Sequence, residues 1–158
     1  MPVIIDGHNL LRSIQNIEDD TSITDAGLCR LLDRYFGLTG DRAEIIFDGT
    51  GPPNKDEFNN IKNLEVTFSG RKTDCDTIIE ERTLSSTAPK LLTIVSSDRR
   101  LREAAKARKA TDVKSEDFWD EVKKRLSRQR PNKEPAGKRR GITESETELW
   151  LKEFNIEQ

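Results

Sequence analysis

Two runs, Val3–Ile5 (VII) and Leu91–Val95 (LLTIV), are apolar with almost no polar interruption. A strand with one wetted face alternates apolar and polar residues, whereas a continuous run bounded by polar turns belongs to a strand buried on both faces. Such strands occur in parallel sheets covered by helices on each side, which restricts this chain to α/β architectures. Ala43–Phe47, Leu64–Phe68 and Ala110–Val113 add further short strand signals. Between them lie helical spacings. Leu28, Leu31, Leu32, Tyr35 and Phe36 form one apolar face over 24–37, opened by Ser22 or Thr24. Ile78 and Ile79 mark a helix over 75–85, and Leu101, Ala104 and Ala105 mark one capped by Ser97 or Asp98. Phe118, Val122 and Leu126 follow a capping Ser115. Another helix is expected to start at Leu10, with Asn9 as its cap and Gly7 permitting a sharp exit from the first strand. The expected fold is a three-layer α/β/α domain with a mostly parallel central sheet.

The 158 residues suit one such domain over 1–127, followed by an appendage over 128–158. With 35% charged and 33% hydrophobic residues, the core is modest and the surface strongly ionic. A net charge of -2 gives no average sign of nucleic-acid binding, but the distribution is uneven. From Glu121 to Arg140 there are nine Lys/Arg against two Glu, in a Pro- and Gly-containing stretch that reads either as a linker or as a source of sequence-independent affinity for RNA. Thr143 and Glu146 have capping-box spacing before Leu149, Trp150, Leu151 and Phe154. A short helix exposing Trp and Phe would dock on this domain, on a second copy to give a homodimer, or on a partner.

No run approaches the length of a membrane span, and Asp6 interrupts the opening apolar stretch where a signal peptide would continue. Cys29 and Cys75 are far apart and show no CxxC pattern. They read as small hydrophobes in a reducing cytoplasm. His8 is the only histidine, which excludes multi-histidine zinc hydrolases and leaves carboxylates as the acid–base groups. His8 itself reads as structural or RNA-facing rather than catalytic.

Acids fall where an open parallel sheet places its site, outside the carboxyl ends of the strands. Asp6 ends the first strand, Asp48 ends Ala43–Phe47, and Asp98 follows LLTIVSS. Asp74 and Asp76 open a helix, and Glu80 shares a face with Asp76 at i, i+4. Singly, each has an ordinary alternative as a turn residue or cap. Together, crowded carboxylates repel one another unless a divalent cation neutralises them, and an all-oxygen set favours Mg²⁺ or Mn²⁺. Such an ion suits phosphodiester hydrolysis. Asn9 suits an orienting amide beside the acids as well as a cap.

The motifs IIDGHNLL, FDGTG, DCDTIIEE and IVSSDRRLR, in this order, resemble the YacP-like branch of NYN-domain proteins in the PIN-like nuclease group. The resemblance covers residues 2–125. It implies a PIN-like, Rossmann-like sheet and metal-dependent endoribonuclease activity. Asp6 then matches the first acidic ligand and Asn9 the polar residue beside it. Asp76 matches the aspartate of an Ala-Asp pair, with Cys75 in place of the alanine. Glu80 sits where a later acid is common, and Asp98 matches the acid of the Ser-Asp motif beside Ser97. Asp48 fits the Asp-Gly position, while Asp74 has no counterpart. Some members of the family associate with ribosomes and cut mRNA there.

RNA, as mRNA or a structured RNA, would need basic groups beside the acids. Arg71, Lys72, Ser97, Arg99, Arg100 and Arg102 are the candidates, with a solvated helix face as the plain alternative for the arginines. Two other readings compete. One is an RNA- or ribosome-binding adaptor that keeps the fold without cutting. The other is an aspartyl phosphatase at Asp48, which lacks its paired acid because Ile46 stands two residues earlier.

Overall fold

The structure, a computed structural model, describes residues 2–129. The expected basic stretch beyond Gln129 and the helix near Trp150 lie outside the described residues, as does any dimer formed through that helix.

Strand β1 (Pro2–Asp6) runs directly into α1 (Gly7–Glu18), and α2 (Asp25–Thr39) leads back to β2 (Arg42–Phe47). A long loop connects to β3 (Leu64–Phe68), then α3 (Cys75–Ser85), β4 (Thr93–Val95), α4 (Arg99–Ala107), β5 (Thr111–Val113) and α5 (Ser115–Gln129). The strands pair in the order β3-β2-β1-β4-β5, and every pair is parallel.

Alternation along each strand divides the core between two faces. Val3, Ile5, Ile45, Phe47 and Val95 pack with the apolar faces of α1, α2 and α5, including Leu10, Ile14, Leu32, Phe36, Phe118 and Val122. Ile4, Ile46 and Ile94 point the other way and pack with Cys75 and Ile79 of α3 and Leu101 and Ala105 of α4. The result is the expected three-layer arrangement. Among the described residues, no helix is long and apolar enough to cross a membrane.

Three local expectations are corrected. Helix α1 begins at Gly7 and its cap is Asp6, whose side chain accepts from Asn9 N, so Asn9 lies inside the helix. Gly7 serves close packing rather than a turn: a Cβ there would lie 2.5 Å from the Phe47 ring and 2.9 Å from Ile46 O. The apolar Leu91 belongs to a 3-10 turn opened by Pro89, whose ring lacks the N–H a strand needs, and the strand starts only at Thr93.

The strand order reverses between β1 and β4: the chain leaves β1 for β2 on one side and reaches β4 on the other. In sheets of this kind the crevice at the carboxyl ends of these two strands is the place for a site.

Candidate active site

Asp6 stands in that crevice. It is 7% exposed and held from several directions. Ser96 Oγ donates to its Oδ2 at 3.1 Å, while Asn9 N and Cys75 Sγ each reach Oδ1 at 3.5 Å. The β1–β4 register explains the Ser96 contact. Ile5 lies opposite Val95, so one further step along both strands sets Asp6 beside Ser96. The same alternation turns Ser97 to the opposite face.

Helix α3 brings the second acid. Asp74 caps it by accepting from Thr77 N at 2.7 Å, and Asp48 at the end of β2 accepts from Cys75 N at 2.6 Å. Asp48 therefore anchors the first turn of α3 against the sheet edge. One residue further, Asp76 is half-buried, and ligand atoms of Asp6, Cys75 and Asp76 lie within 4.8 Å of one another.

The electrostatics of this cluster are unfavourable. Burial pushes the Asp6 carboxyl above its usual range, against the hydrogen bonds from Ser96, Asn9 and Cys75, and the Asp48 charge adds to the rise. Asp76 is pushed up to about 6, first by desolvation and then by the charges of Asp6 and Asp98. The Cys75 thiol is driven far above its ordinary value, mainly by burial and then by Asp6 and Asp48. It stays protonated and donates to Asp6 and to Ile46 O, the latter at 3.2 Å. This donor set suits a hard cation: two converging carboxylates whose repulsion an ion would relieve, with the sulfur spent as a hydrogen-bond donor.

Asp98 caps α4. Its Oδ1 accepts from Arg100 N at 2.8 Å, and its own N–H donates to Ser96 Oγ at 3.0 Å. Its carboxylate is close enough to act on Asp76, although it is not among the atoms within 4.8 Å. Glu80 is drawn away from the cluster. The Arg100 guanidinium pairs with it and holds its carboxyl below the usual range.

The expected RNA contacts divide in the same way. Arg102 is tied to Asp112 at 2.9 Å and is largely covered, and Arg100 is tied to Glu80. Among the described residues Arg99 pairs along its own helix with Glu103, and it is 91% exposed. Arg71 and Lys72 are exposed and have no ion-pair partner among the described residues. The Ser97 hydroxyl bonds both carboxylate oxygens of Glu116, at 2.9 and 3.0 Å, rather than facing the acids. The Asn9 amide oxygen accepts from Ser97 N at 2.9 Å and from Ser115 Oγ at 2.6 Å. His8 leans on Phe47 and pairs with Asp25 at 3.6 Å, a bond that raises its pKa.

Sequence reasoning passed over Ser96 and Glu116, and took Ser115 only as a helix cap. Ser96 was open to inference from strand alternation once β4 was known to neighbour β1. The contacts of Ser115 and Glu116 carried no local signal, because their partners lie on α1 and on the turn after β4.

An all-parallel sheet between two helix layers, with acids gathered at its switch point, is a Rossmann-like α/β domain with an acidic site. The chain belongs to the YacP-like NYN domain family, whose model matches residues 3–155. That membership supports a ribonuclease-type function. Two solved structures share the fold. The crystal structure of Rae1 (YacP) from Bacillus subtilis is 22% identical with a TM-score of 0.56, over 97% of this chain and 92% of that one. A tryptophan-to-leucine mutant of the same protein is 18% identical with a TM-score of 0.58, over 85% and 86%. Among curated proteins, none matches the chain.

Proposed function

We propose that this protein is a divalent-metal-dependent endoribonuclease that hydrolyses RNA phosphodiester bonds at the carboxyl edge between β1 and β4. The observation that carries the reading is the convergence of Asp6 and Asp76 there, at the cost of mutual repulsion, with Asp48 and Asp98 beside them. Asp6 and Asp76 would hold Mg²⁺ or Mn²⁺, and Asp98 would contribute further negative charge toward it. When bound, the ion supplies an activated water and counter-charge for the phosphate. Asp6 is fixed in direction by Ser96, Asn9 and Cys75, so it meets the ion already oriented. Arg71, Lys72 and Arg99 would contact flanking phosphates without reading bases. The resemblance adds mRNA, cut at the ribosome, as the substrate to try first, and the two free, buried cysteines favour a reducing cytoplasm as the compartment.

The test is cleavage of labelled RNA by the purified full chain with Mg²⁺ or Mn²⁺, with and without a chelator. Asp6→Asn and Asp98→Asn are expected to abolish cleavage and leave RNA binding largely intact. A wild-type chain that binds RNA but never cuts it with either ion would replace this reading with that of a non-cleaving adaptor.

A further inference from the structure

Residues 96–98, between β4 and α4, have no regular secondary structure, yet they carry two groups of the proposed site. The Ser96 hydroxyl donates to Asp6 and accepts from the Asp98 amide. A free turn of this kind samples many conformations, at about 1–2 kcal/mol of entropy per residue, and would let Asp98 drift relative to Asp6. The restraint comes from outside the acidic cluster. On the opposite face of the turn, Ser97 N donates to Asn9 Oδ1, and Ser97 Oγ accepts from Ser115 N at 3.0 Å while donating to Glu116. Ser115 Oγ, fully buried, donates to the same Asn9 oxygen. Ser13 of α1 donates to Glu116 Oε1 at 3.2 Å. The first turn of α5 thus closes a clip around the turn, with α1 as its other jaw.

We infer that Ser115 and Glu116 are positioning residues for the reaction: through Ser97 and Asn9 they set the turn that holds Ser96 and Asp98 against Asp6. This inference rests on the metal-dependent cleavage proposed above. A purely structural role would be to start α5, and the same helix offers a control. Asp117 shares its first turn and its charge, and so its favourable place at the helix N-terminus, but among the described residues no hydrogen bond joins it to Ser97, whose hydroxyl goes to Glu116. Leu126, buried further along α5, supplies a variant that weakens packing without touching the clip.

The experiment compares Ser115→Ala and Glu116→Ala with Asp117→Asn and Leu126→Ala in the full chain. Both clip variants are expected to lose about 10- to 100-fold in kcat, the range seen when groups that orient metal ligands are removed, with KM nearly unchanged. They should also bind Mn²⁺ more weakly, and in the metal-free protein the Ser97 and Asp98 amides should exchange hydrogen faster. Asp117→Asn should keep kcat, and Leu126→Ala should lower the urea midpoint more than kcat. If the wild type cleaves and the clip variants match it in kcat and amide exchange, the clip is overturned alone. Equal kcat losses in Leu126→Ala would overturn it as well, by reducing it to helix stability. A wild type that binds Mn²⁺ without cutting overturns the cleavage reading, and the clip then stands or falls on Mn²⁺ affinity and amide exchange. A wild type that neither cuts nor binds Mn²⁺ overturns both.

Discussion

Replacing Asp76 with asparagine should stabilise the metal-free protein while disabling it. Asparagine keeps the shape and removes the charge. The Asp76 carboxyl rises from 3.8 to about 6 in the folded chain. Taken at face value that rise is worth about 3 kcal/mol against the charged form. The side chain is only half-buried, so solvent screens most of it, and about 1 kcal/mol is a fair expectation. The favourable place of a carboxylate in the first turn of α3 subtracts about 0.5 kcal/mol, leaving a gain of about 0.5 kcal/mol for Asp76→Asn. The sign follows from linkage. The folded pKa lies above the unfolded one, so the penalty on wild type is absent below pH 3.8, grows between there and about 6, and is complete above that. Urea unfolding in chelator should therefore show the variant ahead at pH 8 and nearly level with wild type at pH 4. Added Mn²⁺ should reverse the order, because an ion at about a hundred times its Kd stabilises wild type by about 2.7 kcal/mol and has lost a ligand in the variant. A variant no more stable than wild type at pH 8, or one that Mn²⁺ stabilises equally, would refute the reasoning.

Other perturbations test separate parts of the structure. Gly7→Ala forces a methyl against the fully buried Phe47 ring and Ile46 O, and should cost about 1–3 kcal/mol in urea unfolding. Cys75→Ala removes a protonated thiol rather than a ligand. Mn²⁺ binding and cleavage should be weakened, because one of the three groups that orient Asp6 is gone, but not abolished as in Asp6→Asn, with stability down by about 1 kcal/mol for the lost hydrogen bonds. Arg71→Ala and Lys72→Ala should weaken RNA binding without lowering kcat at saturating RNA. Each should flatten the salt dependence of single-strand binding by about 0.7 in the slope of log K against log salt.

The layer architecture was legible because continuous runs such as Val3–Ile5 leave few alternatives to a doubly covered parallel strand. The acids were legible as carboxylates at strand ends, but their facing was not. Whether Ser96 or Ser97 looks into the crevice depends on which strand β4 pairs with, and strand order is a property of the whole sheet. The fates of Arg100 and Arg102 were hidden for a similar reason: their partners, Glu80 on α3 and Asp112 on β5, become neighbours only after folding. The start of α1 was misjudged because its first turn, Gly7–Asn9, carries no apolar residue to extend the periodicity of Leu10, Leu11 and Ile14. One side chain, Asp6, is both the cap of that helix and the buried acid of the site.

The central place of β1 in the sheet also bears on biosynthesis. Asp6 waits 90 residues for its Ser96 partner, which is about 5–18 s of synthesis at about 5–20 residues per second. The clip on α5 is made later still. Until β4 pairs with β1, the first acid has β2 on one side only and lacks its hydroxyl partner. On the proposed function, a nascent chain is harmless to the message it is being read from until α5 is in place, and a product truncated before Ser115 carries the acids without the frame that makes them a nuclease.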